Sequence, residues 1–239
     1  MRKTKQRIYD TAYSENGQYY ESGKGVLSFL QKKLTKYLVS RYKVCYDLLS
    51  SKGGIIVDVG CGNGYFLLMT QKKFEKCIGI DISKVRIKKA TEAVNKLSTF
   101  EKFEFIVRDV DEGLPMSSES INTVTCIAVL EHVINPPSLV DEIYRILKPK
   151  GEFILEVPNI AWLPYRLQLL LGRLPKTGGT YFGTDWDHLH LFTKSSIIHL
   201  LQKKRFKIQK IVCSGVFAGI RNIWVSLLGG DLVIKSIKT

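Results

Sequence analysis

The residues with proton chemistry to offer stand at two places far apart in the chain. Glu131-His132 follows an apolar run, and His188 and His190 return downstream within Asp185-Trp186-Asp187-His188-Leu189-His190. An imidazole titrates near working pH, so it can take a proton from a hydroxyl, and a carboxylate beside it can orient it or balance its charge. His188 and His190 are therefore candidates for a general base, with Glu131 and His132 lining the same centre. A lone histidine is more often a structural hydrogen bonder. What would make these four chemical is a ligand seat next to them.

Such a seat is written earlier, in Ile55-Ile56-Val57-Asp58-Val59-Gly60-Cys61-Gly62-Asn63-Gly64. A β-branched run that breaks into three alternating glycines reads as a buried parallel strand ending in a tight turn. Glycine lets the backbone take positive φ and lets a ligand approach without meeting a Cβ. The dinucleotide fingerprint fails here, because its third glycine would fall where Tyr65 stands. Asp81 follows Gly64 by 17 residues, at the tip of a second short apolar run. A carboxylate at that place can accept both hydroxyls of a ribose.

Val57-Asp58-Val59-Gly60-Cys61-Gly62-Asn63-Gly64 with Gly79-Ile80-Asp81-Ile82-Ser83 resembles the class I S-adenosylmethionine-dependent methyltransferases. The resemblance continues through Phe105-Ile106-Val107-Arg108-Asp109-Val110, Val129-Leu130-Glu131-His132-Val133 and the stretch from Arg145 to Asn159. It implies that Asp58, Gly60, Cys61, Gly62, Asn63 and Gly64 cradle the methionyl part of the cofactor. It further implies that Asp81 and Ile82 border the ribose, that Asp109 and Val110 border the adenine, and that Ala128 belongs to the donor site. In two relatives, the ubiquinone-pathway O-methyltransferases and the small-RNA terminal 2′-O-methyltransferases, a glutamate three positions before Glu-His helps hold a divalent metal. Ala128 stands at that place, so S-adenosylmethionine is the one expected cofactor and no metal is expected; a metal would have to rely on Glu131, His132 and a distant histidine.

The elements that must position these groups follow from periodicity. Residues 26–50 carry apolar residues at helical spacing and are expected to form a helix on the sheet, ended by Gly53-Gly54. Strands are expected at 55–59, 77–82, 103–110, 121–127, 152–157, 206–212 and 230–236, with helices after Gly64, Ser83, Asn135 and Thr193 and a short apolar helix or lid at 217–228. The lysines and Arg86 beyond Ser83 read as a solvated face. The resemblance implies a three-layer Rossmann-like α/β sandwich with a seven-stranded, mostly parallel sheet whose last strand is antiparallel. Residues 1–50 are expected to be an N-terminal arm and helix, with Tyr19-Tyr20 as candidates to face the ligand, and residues 51–239 the methyltransferase domain. Within it, residues 158–187 form an insertion with Trp162, Tyr165, Tyr181, Phe182 and Trp186, expected to be a lid that holds the acceptor.

Composition bounds the rest. The chain has 239 residues and a formal charge of +14. Residues 194–239 hold 9 Lys/Arg against 1 Asp/Glu, and residues 1–50 hold 10 against 4. Basic ends can steer an anionic partner, but no nucleic-acid recognition motif accompanies them, and nucleic acid is not favoured. Residues 161–174 are greasy on more than one side, open to a buried cap or to peripheral membrane or lipid contact. No run of 18 apolar residues is present and the five cysteines are scattered without a C-x-x-C, which points to reduced thiols and a cytoplasmic protein. The reading is a methyltransferase acting on a small molecule, expected at oxygen. The alternatives are an RNA methyltransferase and a catalytically silent cofactor-binding regulatory partner.

Overall fold

The computed structural model describes residues 6, 10, 38–50, 53–175, 177, 180–181, 184–185 and 188–239. At its centre lies a seven-stranded sheet. In chain order its strands are β1 Ile55–Val59, β2 Lys76–Asp81, β3 Phe103–Val107, β4 Ile121–Ile127, β5 Leu147–Pro158, β6 Phe206–Val212 and β7 Asp231–Lys238. Across the sheet they run β3-β2-β1-β4-β5-β7-β6. The first five pair in parallel, and β7 is antiparallel to both of its neighbours. The chain leaves β1 toward β2 and β3 on one side and returns to β4 on the other. Open sheets of this kind bind ligands in the crevice beyond the carboxyl ends of the strands at that switch.

Helices cover both faces, as the alternation of strand side chains requires. On one face Cys45 and Leu48 of α1 (Arg41–Leu48), Phe66 and Leu67 of α2 (Tyr65–Thr70) and Ile87 of α3 (Lys84–Val94) pack with Ile56 and Cys77. On the other, Leu139, Val140, Ile143 and Ile146 of α4 (Pro136–Ile146) pack with Val57, Val59, Ile78 and Ile80. α5 (Leu163–Leu170) follows β5, and α6 (Lys194–Lys203) adds Ile197 and Leu201 to that second core. A buried ion pair, Lys235 Nζ to Glu152 Oε1 at 2.7 Å, and a bond from the same ammonium to Leu48 O at 2.9 Å tie the end of α1 to the sheet. No helix among the described residues is long and apolar enough to cross a membrane.

Three expectations need correction. The helix expected over 26–50 is described only from Arg41, because the Ser40 side chain accepts from Lys43 N and starts it there. Leu38–Val39 before it is extended and pairs antiparallel with Gly215–Val216, while residues 26–37 lie outside the described residues. The third strand stops at Val107 instead of 110, since Asp109 turns to cap the short helical turn Val110–Glu112. Residues 217–228 are three short pieces, α7 (Ala218–Arg221), a turn at Asn222–Trp224 and α8 (Val225–Leu228).

Candidate functional site

At the end of β1 the chain turns through Gly60, Gly62 and Gly64 with φ of 74°, 54° and 74°. The turn is sewn to β2 by its backbone: Gly60 N and Cys61 N donate to Ile80 O at 2.7 and 2.9 Å. Gly62 N donates to Asp81 Oδ2 at 2.9 Å, and Ser83 N donates to the other carboxylate oxygen at 2.8 Å. A Cβ on Gly60 would lie 2.1 Å from Val129 Cγ2, and one on Gly64 3.1 Å from Phe105 Cζ. The positive φ and this packing both demand glycine, and the turn offers backbone with no side chains of its own at these three positions. A glycine backbone turn beside the Asp81 carboxylate suits a sulfonium cofactor carrying a ribose.

Two carboxyl groups sit under this turn. Asp58 is buried and accepts from Thr125 Oγ1 at 2.6 Å; burial pushes its carboxyl up to about 7, against the pull of that bond. Burial also raises Asp81, and the bonds from Ser83 and Gly62 and the Arg86 charge oppose it. Arg86 therefore does not belong to a solvated face: its guanidinium lies 3.3 Å from where a Gly62 Cβ would stand. Lys84, Lys88 and Lys89 are exposed as expected. Asp109 and Val110 are buried just past β3, where Arg108 N donates to Asp81 O at 2.9 Å.

The second half of the site begins where β4 ends. Ala128 has φ 54°, a left-handed conformation that costs a non-glycine residue about 1–3 kcal/mol. Its N–H donates to Glu156 O at 3.2 Å. The kink sends Val129 onto Gly60, so the donor turn and the Glu131 loop are fitted to each other. Glu131, 1% exposed, accepts on its main-chain oxygen from Leu189 N and His190 N at 2.9 and 3.1 Å. This pairing brings the distant 188–190 segment alongside.

The consequence is a cluster drawn from two separate stretches. His132 Nε2 and His188 Nε2 lie 3.8 and 3.9 Å from Glu131 Oε1. The two rings meet edge to face with centroids 4.8 Å apart. His188 Nδ1 is 2.8 Å from Thr177 Oγ1, which fixes the ring. His190 does not join: its Nε2 lies 3.3 Å from Ile134 O, and its ring tilts against Phe192. One ligand atom from each of Glu131, His132 and His188 falls within 4.8 Å of the others. A carboxylate with two imidazoles suits Mn, Fe or Zn better than Mg, so these three could hold a divalent ion even with Ala128 in place of a fourth ligand.

Several residues of this site carried no signal or a weak one. Gly79 was part of an apolar run, yet a Cβ there would be 2.7 Å from Cys61 Sγ, and a glycine inside a strand is the available hint of close approach. Thr125, Thr177 and Arg86 are visible only through contacts. Asp10 accepts from Ser83 Oγ at 2.7 Å and Val85 N at 3.3 Å, placing one residue of the expected arm beside the Asp81 loop. Tyr19 and Tyr20, and Phe182, Trp186 and Asp187 of the insertion, lie outside the described residues, as does the side chain of Tyr181.

The fold defines a class I methyltransferase architecture, with the glycine turn at the β1–β4 switch. Residues 30–211 match the family model described as a methyltransferase domain, and the chain belongs to that family of S-adenosylmethionine-dependent methyltransferases. Among curated relatives, the ubiquinone biosynthesis O-methyltransferase of Photobacterium profundum is 28% identical over 156 residues, 63% of each chain. The match thus spans under two thirds of that relative's length. Among solved structures, an S-adenosylmethionine-dependent methyltransferase of Thermotoga maritima superposes with a TM-score of 0.66 at 19% identity, covering 98% of this chain and 99% of that one. The geranyl diphosphate C-methyltransferase of Streptomyces coelicolor A3(2), solved with Mg2+, geranyl diphosphate and S-adenosyl-L-homocysteine, gives 0.64 at 14% identity, covering 100% and 97%. The protein is an enzyme, and its cofactor is S-adenosylmethionine.

Proposed function

We propose that this enzyme methylates a hydroxyl of a small molecule, with His188 as the base and Glu131 and His132 beside it. The observation that carries the reading is the convergence of His188 on Glu131 and His132, one loop away from the glycine cradle. S-adenosylmethionine supplies an electrophilic methyl group when bound, and the cradle of Gly60, Gly62 and Gly64 with Asp81 would hold it. With Thr177 at Nδ1, the Nε2 of His188 is the nitrogen that receives the hydroxyl proton. Glu131 Oε1 at 3.9 Å then balances the imidazolium charge. Residues 158–187, the segment that delivers Thr177, act as the acceptor lid. The O-methyltransferase names of the curated relatives support oxygen as the acceptor atom.

The same three side chains favour a second reading, in which Glu131, His132 and His188 hold a divalent ion that draws the acceptor oxygen. The two readings separate in one experiment. Methyl-labelled cofactor is incubated with the enzyme and an extract of its source, and label is followed in the small-molecule fraction before and after chelator treatment. Label that survives chelation and falls in His188→Ala supports the base; label lost on chelation and restored by Mn2+ or Zn2+ supports the ion. Label confined to a nuclease-sensitive fraction sinks both.

A further inference from the structure

The segment proposed as the acceptor lid also carries apolar side chains that lie exposed. Leu163, Leu167 and Leu170 stand at i, i+4 and i+7 of α5 and are all exposed, Leu170 at 82%. Leu171 and Leu174 continue the exposure past the helix end. A second apolar cluster comes from 53 residues later in the chain, where Ile223 is 85% and Trp224 58% exposed.

The fold fastens the roots of these two segments to each other. Trp162, the residue before α5, lies under the Arg221 guanidinium at 5.6 Å. Asn159 Nδ2 donates to Gly229 O at 2.8 Å, and Asn159 N to Gly230 O at 2.9 Å, so the root of α5 is fastened to the end of the 217–228 segment. Large exposed apolar side chains on two segments whose roots are fastened to each other offer more than scattered single exceptions.

The charge around the patch points to its occupant. Residues 157–184 contain no Asp or Glu, and Arg166 and Arg173 are exposed among the leucines. We propose that α5 and residues 217–224 together dock the enzyme on an anionic phospholipid surface. The leucines and Ile223 reach the acyl boundary, Trp224 sits at headgroup level, and Arg166 and Arg173 meet lipid phosphates. A second copy seated on the same patch would set these arginines against one another with no acidic residue of 157–184 to meet them.

The test uses the full chain with vesicles of phosphatidylcholine, with and without phosphatidylglycerol. Wild type should co-sediment with the anionic vesicles and release in high salt, and Trp fluorescence in a Trp162→Phe/Trp186→Phe background should shift blue on binding. Leu170→Asp/Ile223→Asp should lower vesicle partitioning by about ten-fold or more, and Arg166→Glu/Arg173→Glu should lower it on anionic vesicles only. Cofactor affinity, measured in the same preparations, should stay unchanged and shows that the variants fold. Absence of wild-type binding, equal binding by the Leu170→Asp/Ile223→Asp variant, or a wild-type dimer that this variant dissociates would each overturn the proposal.

Discussion

The glycine turn and the Glu131–His188 cluster, the proposed donor and acceptor halves of the site, are built by different means. Around the glycine turn, main-chain bonds between neighbouring strands combine with the buried Asp81 and Asp58 carboxyl groups to hold the chain in place. At the Glu131–His188 cluster two main-chain bonds to Glu131 O bring in a segment from far along the chain, and the side chains of His188 and Thr177 then complete the contacts. A backbone cradle tolerates almost no substitution but serves any acceptor. A side-chain cluster on a returning segment can change its acceptor while the cradle stays the same.

Substitutions in the cradle should therefore have the largest effects on cofactor binding. Gly60→Val would drive a branched side chain into Val129 and force a strained φ, so calorimetry should show no cofactor binding, with a lowered melting temperature. Asp81→Ala removes a charge-assisted acceptor as well as the bonds that hold Gly62 and Ser83. Cofactor affinity should fall by about 10- to 100-fold, read in the same titration. An affinity loss of less than about three-fold would break the comparison. On the acceptor side, His190→Ala should reduce transfer by no more than about three-fold, because its ring is bonded to Ile134 O away from the cluster.

The smallest effect is on stability against pH. Burial raises Asp58 and Glu156 to about 7 in the folded apoenzyme, above their unfolded values. Both then favour the folded state when protonated, and that contribution is lost as pH rises from the carboxylate range through about 7. Thermal melts of the cofactor-free protein should show stability falling across this window, and Asp58→Asn, which keeps an acceptor for Thr125, should flatten the slope. A slope unchanged in Asp58→Asn would show that Asp58 is ionised in the fold.

The two halves also differ in how far the sequence discloses them. Strand periodicity and the alternating glycines mark β1, the turn and Asp81, because backbone geometry selects residue types that stand out in a sequence. Gly64, Asp81 and Ser83 are legible for that reason. Arg86 was hidden because one residue of a basic helix face turns inward while its neighbours stay wet, and composition cannot tell them apart. The pairing of Glu131 with His188, and the separation of His190 from it, depends on two main-chain bonds between segments far apart in the chain. Nothing local marks which of two histidines spaced by one residue will face the carboxylate.

In the proposed reaction the Glu131–His132–His188 cluster carries out the proton chemistry or holds the ion that replaces it. The most direct measurement is methyl transfer by His188→Ala beside wild type, with cofactor affinity determined on the same samples. Transfer should fall by about 100-fold or more while cofactor affinity stays within about three-fold. Transfer at the wild-type level, with affinity equally intact, would contradict the claim and leave the cluster a structural joint between two loops.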